Sequence, residues 1–395
     1  MFKHTLLYAS LFSVVALTGC NAGFTLDEDE DDVDSLSFFG AAEDATWELD
    51  LDLLDENFTL TKSTAPTDST SASLLYTLSG SFSEGDNGLT ELFVESSDDE
   101  GIDSDTEIFI VYAEDHAAFI FPFDEIGDDE EDDISTQVVA LIKHGGEDDD
   151  DEVCPIEDIS DLNYIRYQFG SEDDSNKSSA EDPVDFIGKY TYGLNTETIE
   201  LTDTFDLRDF SIPLDFDRTI QSNTCSDGSI TPNDNDVHYL SDNNSSIITE
   251  FDDAEEERIF IALQPLSLSS LSSISDTYLG FIGSEFNDVT NITETRCSFS
   301  TSTDISTCIV REEGSDDDLY TMLFSSANVN SPALGMIHGT INITGFDDTY
   351  NIACHANTDV NTDDEDDGTK LMVCVGQTPE DPSVPMNLFL VSPES

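Results

Sequence analysis

Closely spaced carboxylates are the groups in this sequence that point most directly to chemistry. Two acidic segments alternate oxygen-bearing side chains with other residues and then reach a glycine, Gly368 in one and Gly101 in the other. Calcium prefers about six to eight oxygen ligands, held on a loop that a glycine can turn sharply. The two segments are therefore candidate calcium sites, and no other cofactor is indicated. The candidate ligands are Asp363, Glu365 and Asp367 in the first segment and Asp98, Glu100 and Glu107 in the second.

Both segments depart from the helix–loop–helix calcium motif. Cys374 stands where the first segment would need its closing glutamate, and the second segment opens with Ser96. Both also lead into strand-like sequence, so a calcium site here would be a loop of a β-domain. The alternative is that both segments are solvated charged turns, which keep the edges of strands soluble. The sequence leaves this choice open.

Motifs for nucleophilic catalysis and phosphate binding are missing from the sequence. It contains no Gly-x-Ser-x-Gly, Ser-x-x-Lys, His-Glu-x-x-His or Gly-x-Gly-x-x-Gly pattern. A carboxylate pair of the kind that glycosidases use is defined by a distance across a cleft, so it cannot be chosen among 88 acidic residues. We therefore predict no catalytic residue and a non-enzymatic role in binding, adhesion or envelope structure. The alternatives are a carbohydrate-active hydrolase and a barrel that carries a small ligand.

The charge of the chain restricts its partners. The 395 residues include 12 Lys and Arg against 88 Asp and Glu, which gives a net charge of −76. Nucleic acids and anionic lipid surfaces bind clustered basic side chains, so neither is expected as a partner. Salt at about 0.5 M shortens the range of charge repulsion to about 4–5 Å, and the composition therefore predicts a marine or halophilic source. A protein or a glycan partner stays open.

The first twenty residues carry the most specific motif of the chain. A short basic start and an apolar stretch lead to Leu17-Thr18-Gly19-Cys20. This arrangement resembles the lipobox of bacterial lipoproteins. The resemblance implies that residues 1–19 are a signal peptide and that Cys20 carries the lipid that attaches the protein to a membrane. Because Asn21 is not Asp, it also implies the outer membrane, and it leaves open which face of that membrane the protein occupies.

The cysteines that follow Cys20 are expected to form three disulfides, because six remain and an even number in an exported chain suggests complete pairing. Two pairs are close enough in sequence to clip hairpins, and the third follows by elimination. The candidate pairs are Cys297 with Cys308, Cys354 with Cys374, and Cys154 with Cys225. A rival interpretation joins Cys354, His355 and Cys374 in a metal site, but no Cys-x-x-Cys spacing supports it.

Short alternating runs separated by acidic turns predict an all-β protein. Trp47-Glu-Leu-Asp-Leu alternates with period two, which is typical of a half-buried strand. We expect two or three antiparallel β-modules of meander topology, built as a small barrel or a sandwich, behind a disordered acidic tether. The predicted divisions are a tether at 20–45 and modules at 46–180, 183–266 and 276–395, the last with eight strands.

Overall fold

The computed structural model of the protein contains three antiparallel sheets of eight strands each, which follow one another along the chain. The first and third sheets close into barrels, named barrel 1 and barrel 2, and the second is open. Among the described residues, the one helical element is a short 3-10 turn at Leu271–Ile274. The structure describes residues 35–392 apart from gaps at 43–44, 65–71, 86–87, 98–101, 103–105, 115, 122–137, 145–157, 170–185, 194, 206, 208–217, 222–228, 231–236, 241–245, 252–256, 264, 266–267, 285–291, 301–304, 313–314, 332, 346–348, 359–369 and 379–384.

Barrel 1 is an up-and-down barrel in which each strand pairs with its neighbours in sequence and β1 pairs with β8. Its strands β1 to β8 are Ser35–Ala42, Ala45–Asp52, Asn57–Thr64, Leu74–Glu84, Thr90–Ser97, Glu107–Ala113, Ala117–Ile120 and Val139–His144. Trp47, Leu49 and Leu51 point into the barrel. Glu48 and Asp50 alternate with them and are half-buried on the outside, as period-two alternation predicts.

Barrel 2 repeats the same order of strands, and β17 pairs with β24 to close it. Its strands β17 to β24 are Asp276–Ser284, Thr293–Ser298, Ser306–Glu312, Asp318–Val329, Met336–Ile343, Thr349–Thr358, Lys370–Gln377 and Pro385–Ser392. A core of side chains fills its interior, including Tyr278, Tyr350 and Met372. A comparable core fills barrel 1. Packed interiors of this kind count against the carrier hypothesis, which requires an internal cavity.

The middle sheet has the strand order β12-β11-β10-β9-β16-β15-β14-β13, so β9 and β16 lie at its centre. Its strands β9 to β16 are Ile159–Phe169, Phe186–Gly193, Thr198–Phe205, Arg218–Gln221, Ser229–Ile230, Val237–Leu240, Ser246–Phe251 and Glu257–Leu263. One face buries Tyr164, Tyr190 and Phe260 in a core of its own. Side chains of the opposite face, including Ile165 and Ile261, join a larger core that all three sheets share.

The architecture confirms the prediction of an all-β protein built from antiparallel modules with meander barrels. Two strands belong to a different sheet or module from the one that the predicted boundaries gave them. Strand β1 falls inside the range 20–45 that was predicted as tether, although it forms the closing seam of barrel 1. Strand β9 falls inside 46–180, yet it pairs with β10 and β16 of the middle sheet. Both strands border acidic segments, and local composition does not show on which side of such a segment a strand will pair.

The core shared by the three sheets, named here the central core, explains why some strands lack alternation. Strands β7, β8, β23 and β24 are buried on both faces, because one face points into its barrel and the other packs against a neighbouring sheet. The barrels touch directly here: the ring centroids of Phe119 in barrel 1 and Phe389 in barrel 2 are 5.1 Å apart. Strands buried on both faces read as continuous apolar runs, and residues 138–142 and 371–375 do so.

A glycine lies at the same seam position in both barrels. Gly40 of β1 pairs with Leu141 of the last strand of barrel 1, and Gly280 of β17 pairs with Leu390 in barrel 2. A Cβ atom at either glycine would overlap a backbone carbonyl oxygen of that last strand. The seam therefore requires glycine for close approach of two backbones.

Two of the predicted disulfides are present, and both lie inside barrel 2. Cys297 of β18 bonds to Cys308 of β19, and Cys354 of β22 bonds to Cys374 of β23, with Cα–Cα distances of 4.0 Å in both. Each pair is directly opposite in register on adjacent strands. The second bond also removes the rival metal site. The third predicted pair, Cys154 with Cys225, lies outside the described residues.

Candidate functional site

The strongest candidate site is a pocket at one end of barrel 1, which we call the mouth. Three turns meet there, β2–β3, β4–β5 and β6–β7, and the pocket has a volume of about 440 Å³. That volume suits a side chain or a small molecule. The residues that line it are Leu53, Glu56, Phe82, Ser83, Glu84, Tyr112 and Glu114.

The β2–β3 turn fixes the backbone of Glu56, whose side chain lines the mouth. The Asp52 side chain, through Oδ1, accepts hydrogen bonds from the backbone N–H groups of Leu54 (3.1 Å) and Asp55 (2.9 Å). Glu56 then adopts a left-handed conformation with φ of 53°, and its carbonyl accepts from the N–H of Phe82 at 2.9 Å. Such side-chain-to-backbone bonds are typical of tight turns. The turn is therefore tied to β4 before any ligand binds.

The floor of the mouth is aromatic. Phe82 is buried among the interior side chains of barrel 1, and Tyr112 packs against them. The Tyr112 hydroxyl donates a hydrogen bond to Glu84 Oε1, which fixes this second carboxylate against the floor. Burial, together with Glu84 and Glu114, raises the pKa of the Tyr112 hydroxyl, so it stays protonated and keeps donating. Leu54, which is 70% exposed, extends the apolar surface at the rim.

The same end of barrel 2 is closed. Leu268, Leu271 and Ile274 precede β17 and belong to the interior core of barrel 2, so we name them the plug. Asn330 of the β20–β21 turn holds the plug by donating to the carbonyl of Leu268 (2.9 Å) and accepting from its N–H (3.2 Å). The buried hydroxyl of Tyr278 donates to the carbonyl of Ile274 at 2.5 Å. No comparable plug covers the mouth among the residues that the structure describes.

The mouth combines negative charge with aromatic faces, which is the chemistry that recognises cations. Glu56, Glu84 and Glu114 supply acceptors for a guanidinium or an ammonium group. Phe82 and Tyr112 offer ring faces, which attract cations through their quadrupoles. The apolar side chains of Leu53 and Leu54 can cover an aliphatic stem. A lysine or arginine side chain fits this combination.

The structure describes almost none of the residues that the sequence predicts for lipidation and calcium binding. Cys20, Asp98, Glu100, Asp363, Glu365 and Asp367 are outside the described residues, and only the backbone of Glu107 is described, at the start of β6. Within the described part of the chain, no group of three or more His, Cys, Asp or Glu side chains is arranged to hold a metal ion. The lipid anchor and the calcium sites therefore stay predictions.

Sequence reasoning missed the mouth, because its three carboxylates come from three separate turns. Glu56, Glu84 and Glu114 are spaced too widely for any local motif. The available signal is positional: each lies near the end of an apolar alternating run. Once an up-and-down barrel is assumed, alternate turns must gather at the same end.

Comparison with known proteins adds little. No protein-family model and no curated protein matches this sequence. The solved structures that match weakly include a mutant of the vaccine antigen transferrin binding protein B from Haemophilus parasuis Hp5, and isotype 1 transferrin binding protein B from serogroup B Neisseria meningitidis. Both are 10% identical, with TM-scores of 0.24 and 0.16, and each match covers 89% of this chain and 66% of the other. The chain thus spans just under two thirds of those chains, and we base no argument on them.

Within the described residues, no helix has the length and apolarity that a membrane crossing requires.

Proposed function

We propose that this protein is a non-enzymatic binding protein of the cell envelope, whose barrel 1 receives a lysine or arginine side chain of a protein partner in its mouth. The observation that carries the proposal is the difference between the two barrels. The end of barrel 2 is filled by its own chain, whereas the described residues leave the same end of barrel 1 as an acidic, aromatic pocket.

The proposal includes attachment to the outer membrane through lipid on Cys20. Its support is the lipobox resemblance of residues 17–20 and the acidic segment at 27–34, which would separate the folded part from the membrane. Metabolic labelling with a radioactive or clickable fatty acid tests this part. Label on the natural chain and none on a Cys20→Ser variant is the expected result, and equal label on both would exclude the anchor.

The binding proposal is tested with a fluorescently labelled tetra-arginine peptide, followed by anisotropy in about 0.5 M NaCl, where long-range attraction is screened. Replacing Glu56, Glu84 and Glu114 together by glutamine should weaken binding by about tenfold or more, because the charge-assisted hydrogen bonds of three carboxylates are lost. The hydrogen bond from Tyr112 to residue 84 can be kept by the glutamine oxygen, so the fold of the floor is preserved.

A matched control separates the pocket from the bulk charge. Glu200, Glu294 and Glu312 lie on β11, β18 and β19, outside barrel 1, and their replacement by glutamine removes the same number of charges. We expect this control to weaken peptide binding by less than about twofold. Equal losses in the two triple variants would show that the peptide binds the negative surface as a whole. The mouth would then not be a specific binding site.

Hydrolysis by a carboxylate pair is the second candidate, because the mouth also has the carboxylates and aromatic walls that a glycosidase requires. Release of nitrophenol from a panel of nitrophenyl glycosides would favour it, provided that Glu84→Gln and Glu114→Gln each abolish the release. Binding of the tetra-arginine peptide without turnover of any glycoside favours the first proposal.

A further inference from the structure

Two histidines from different barrels are buried together in the central core. His116 lies between Ala113 and Ala117 of barrel 1, both of which belong to the central core, and it is 4% exposed. Its backbone N–H donates to the carbonyl of Ala113 at 2.9 Å, and its carbonyl accepts from the N–H of Lys143 at 3.0 Å. The backbone of barrel 1 therefore holds His116 in place.

His355 lies on the outer face of β22 in barrel 2 and is fully buried. Its neighbours across the sheet are Met336 and Val373, and both belong to the central core. Neither ring nitrogen of His355 has a hydrogen-bond partner among the described residues. Burying a neutral imidazole without a hydrogen bond costs some folding free energy. Burying a charged imidazolium costs far more, because the charge at His355 would lack both water and a counterion.

The titratable groups near the pair come from both barrels and from the middle sheet. The central core itself is made of apolar side chains. The nearest titratable or charged groups by register and sequence are Glu114, two residues before His116, Lys143 on β8, His338 on β21, and Lys189, which reaches β9 through a hydrogen bond from its Nζ to Asn163 Oδ1. Glu114 lines the mouth of barrel 1. The basic groups would oppose a further positive charge.

We propose that the central core is an acid-sensitive joint, in which protonation of the buried His355 loosens the packing of barrel 1 against barrel 2. The contact between Phe119 and Phe389 lies in the same core and would open with it. The proposal does not depend on what the mouth binds. It gives an envelope protein a way to change the arrangement of its barrels when the surrounding medium becomes acidic.

The direction of the pH effect follows from the buried state. Burial, and then the charge of His116, lowers the pKa of His355 from its usual 6.5 to about 3. In the open joint the His355 imidazole regains its usual pKa, so the open state binds a proton at a pH at which the closed state does not. The closed joint therefore keeps its full stability above pH 6.5 and loses stability as the pH falls toward 3. For His355 alone, the open population should rise by about tenfold at pH 5.5 and about thirtyfold at pH 5.

The test is hydrogen exchange of the purified protein, followed by mass spectrometry on peptides that contain β7 and β24, from pH 7 to pH 5. Each rate is divided by that of a His116→Gln, His355→Gln double variant at the same pH, which cancels the intrinsic pH dependence of exchange and the titration of the carboxylates. The ratio should rise with the fold-changes given above. A ratio that stays constant from pH 7 to pH 5 would overturn the proposal.

Two further measurements keep the test decisive. A His338→Gln variant removes a histidine of barrel 2 outside the pair, and it should follow the wild-type profile. If the double variant does not fold, histidine-ring NMR of the wild-type protein replaces it. The His355 ring should then titrate only together with the loss of protection in β7 and β24, and independent titration of His355 near pH 6.5 in a fully protected protein would contradict the joint.

Discussion

The two barrels share their strand number, strand order and seam glycine, but they differ in how they are stabilised and in what the described residues place at one end. Barrel 1 contains no cysteine, and its interior includes Lys62, whose ammonium lies 4.7 Å from the ring centroid of Trp47 and 5.7 Å from that of Tyr76. Barrel 2 contains two internal disulfides and a plug. The comparison teaches that the alternation of apolar residues and the glycine at the closing seam determine the barrel architecture. The ends of the barrels can differ without changing that architecture, so a functional site is expected at an end.

Removing the plug should have the largest effect, because it would turn barrel 2 into an open barrel. Leu271→Ala and Ile274→Ala each delete a buried side chain, at a cost of about 2–5 kcal/mol in the free energy of unfolding. Leu53→Ala at the mouth of barrel 1 is the control, and its cost should be below about 1.5 kcal/mol, because that side chain is only half-buried. Urea unfolding measures both. Equal losses would show that both ends are equally closed.

Breaking the disulfides should destabilise barrel 2 alone. Each bond closes a short loop, with sequence separations of 11 and 20 residues, so its loss should cost about 3 kcal/mol. The double variant Cys354→Ala, Cys374→Ala should therefore expose the strands of barrel 2 to hydrogen exchange at a lower urea concentration, while exchange in β2 to β4 of barrel 1 is unchanged. Parallel loss of protection in both barrels would mean that they unfold as one unit through the central core.

Calcium binding should have the smallest effect on stability. It can be tested for each barrel separately, because one predicted site lies in the sequence range of each. Titration in fixed high salt, with magnesium as the control ion, should raise the melting temperature by a few degrees if the carboxylates are ligands. Asp98→Asn with Glu100→Gln should remove the part that belongs to barrel 1, and Asp363→Asn with Asp367→Asn the part that belongs to barrel 2. An equal rise with magnesium in all variants would make both segments solvated turns.

The sequence predicts the strands well because alternation is a local property. Each of the eight runs expected after residue 276 overlaps a strand of barrel 2, and the hairpin disulfides follow from cysteines that are close along the chain. The features that the sequence does not predict depend on how the strands close into barrels. The seam glycine Gly40 lies in a range that was predicted as tether. Gly80 and Gly188 resemble Gly280 in local sequence, but they lie in β4 and β10 and not at a seam, so local sequence does not identify the seam position. The mouth and the histidine pair are likewise formed by residues that only the closed fold brings together.

The most direct test of the account follows the methyl groups of both barrel ends by NMR while the tetra-arginine peptide is added. The account predicts saturable shifts at Leu53 and Leu54 of the mouth, with Leu271 and Ile274 of the plug unchanged. The glutamine variant of Glu56, Glu84 and Glu114 should lose the shifts at Leu53 and Leu54. Shifts of equal size at the two ends, or shifts at the mouth that persist in that variant, would contradict a cation-binding site in barrel 1.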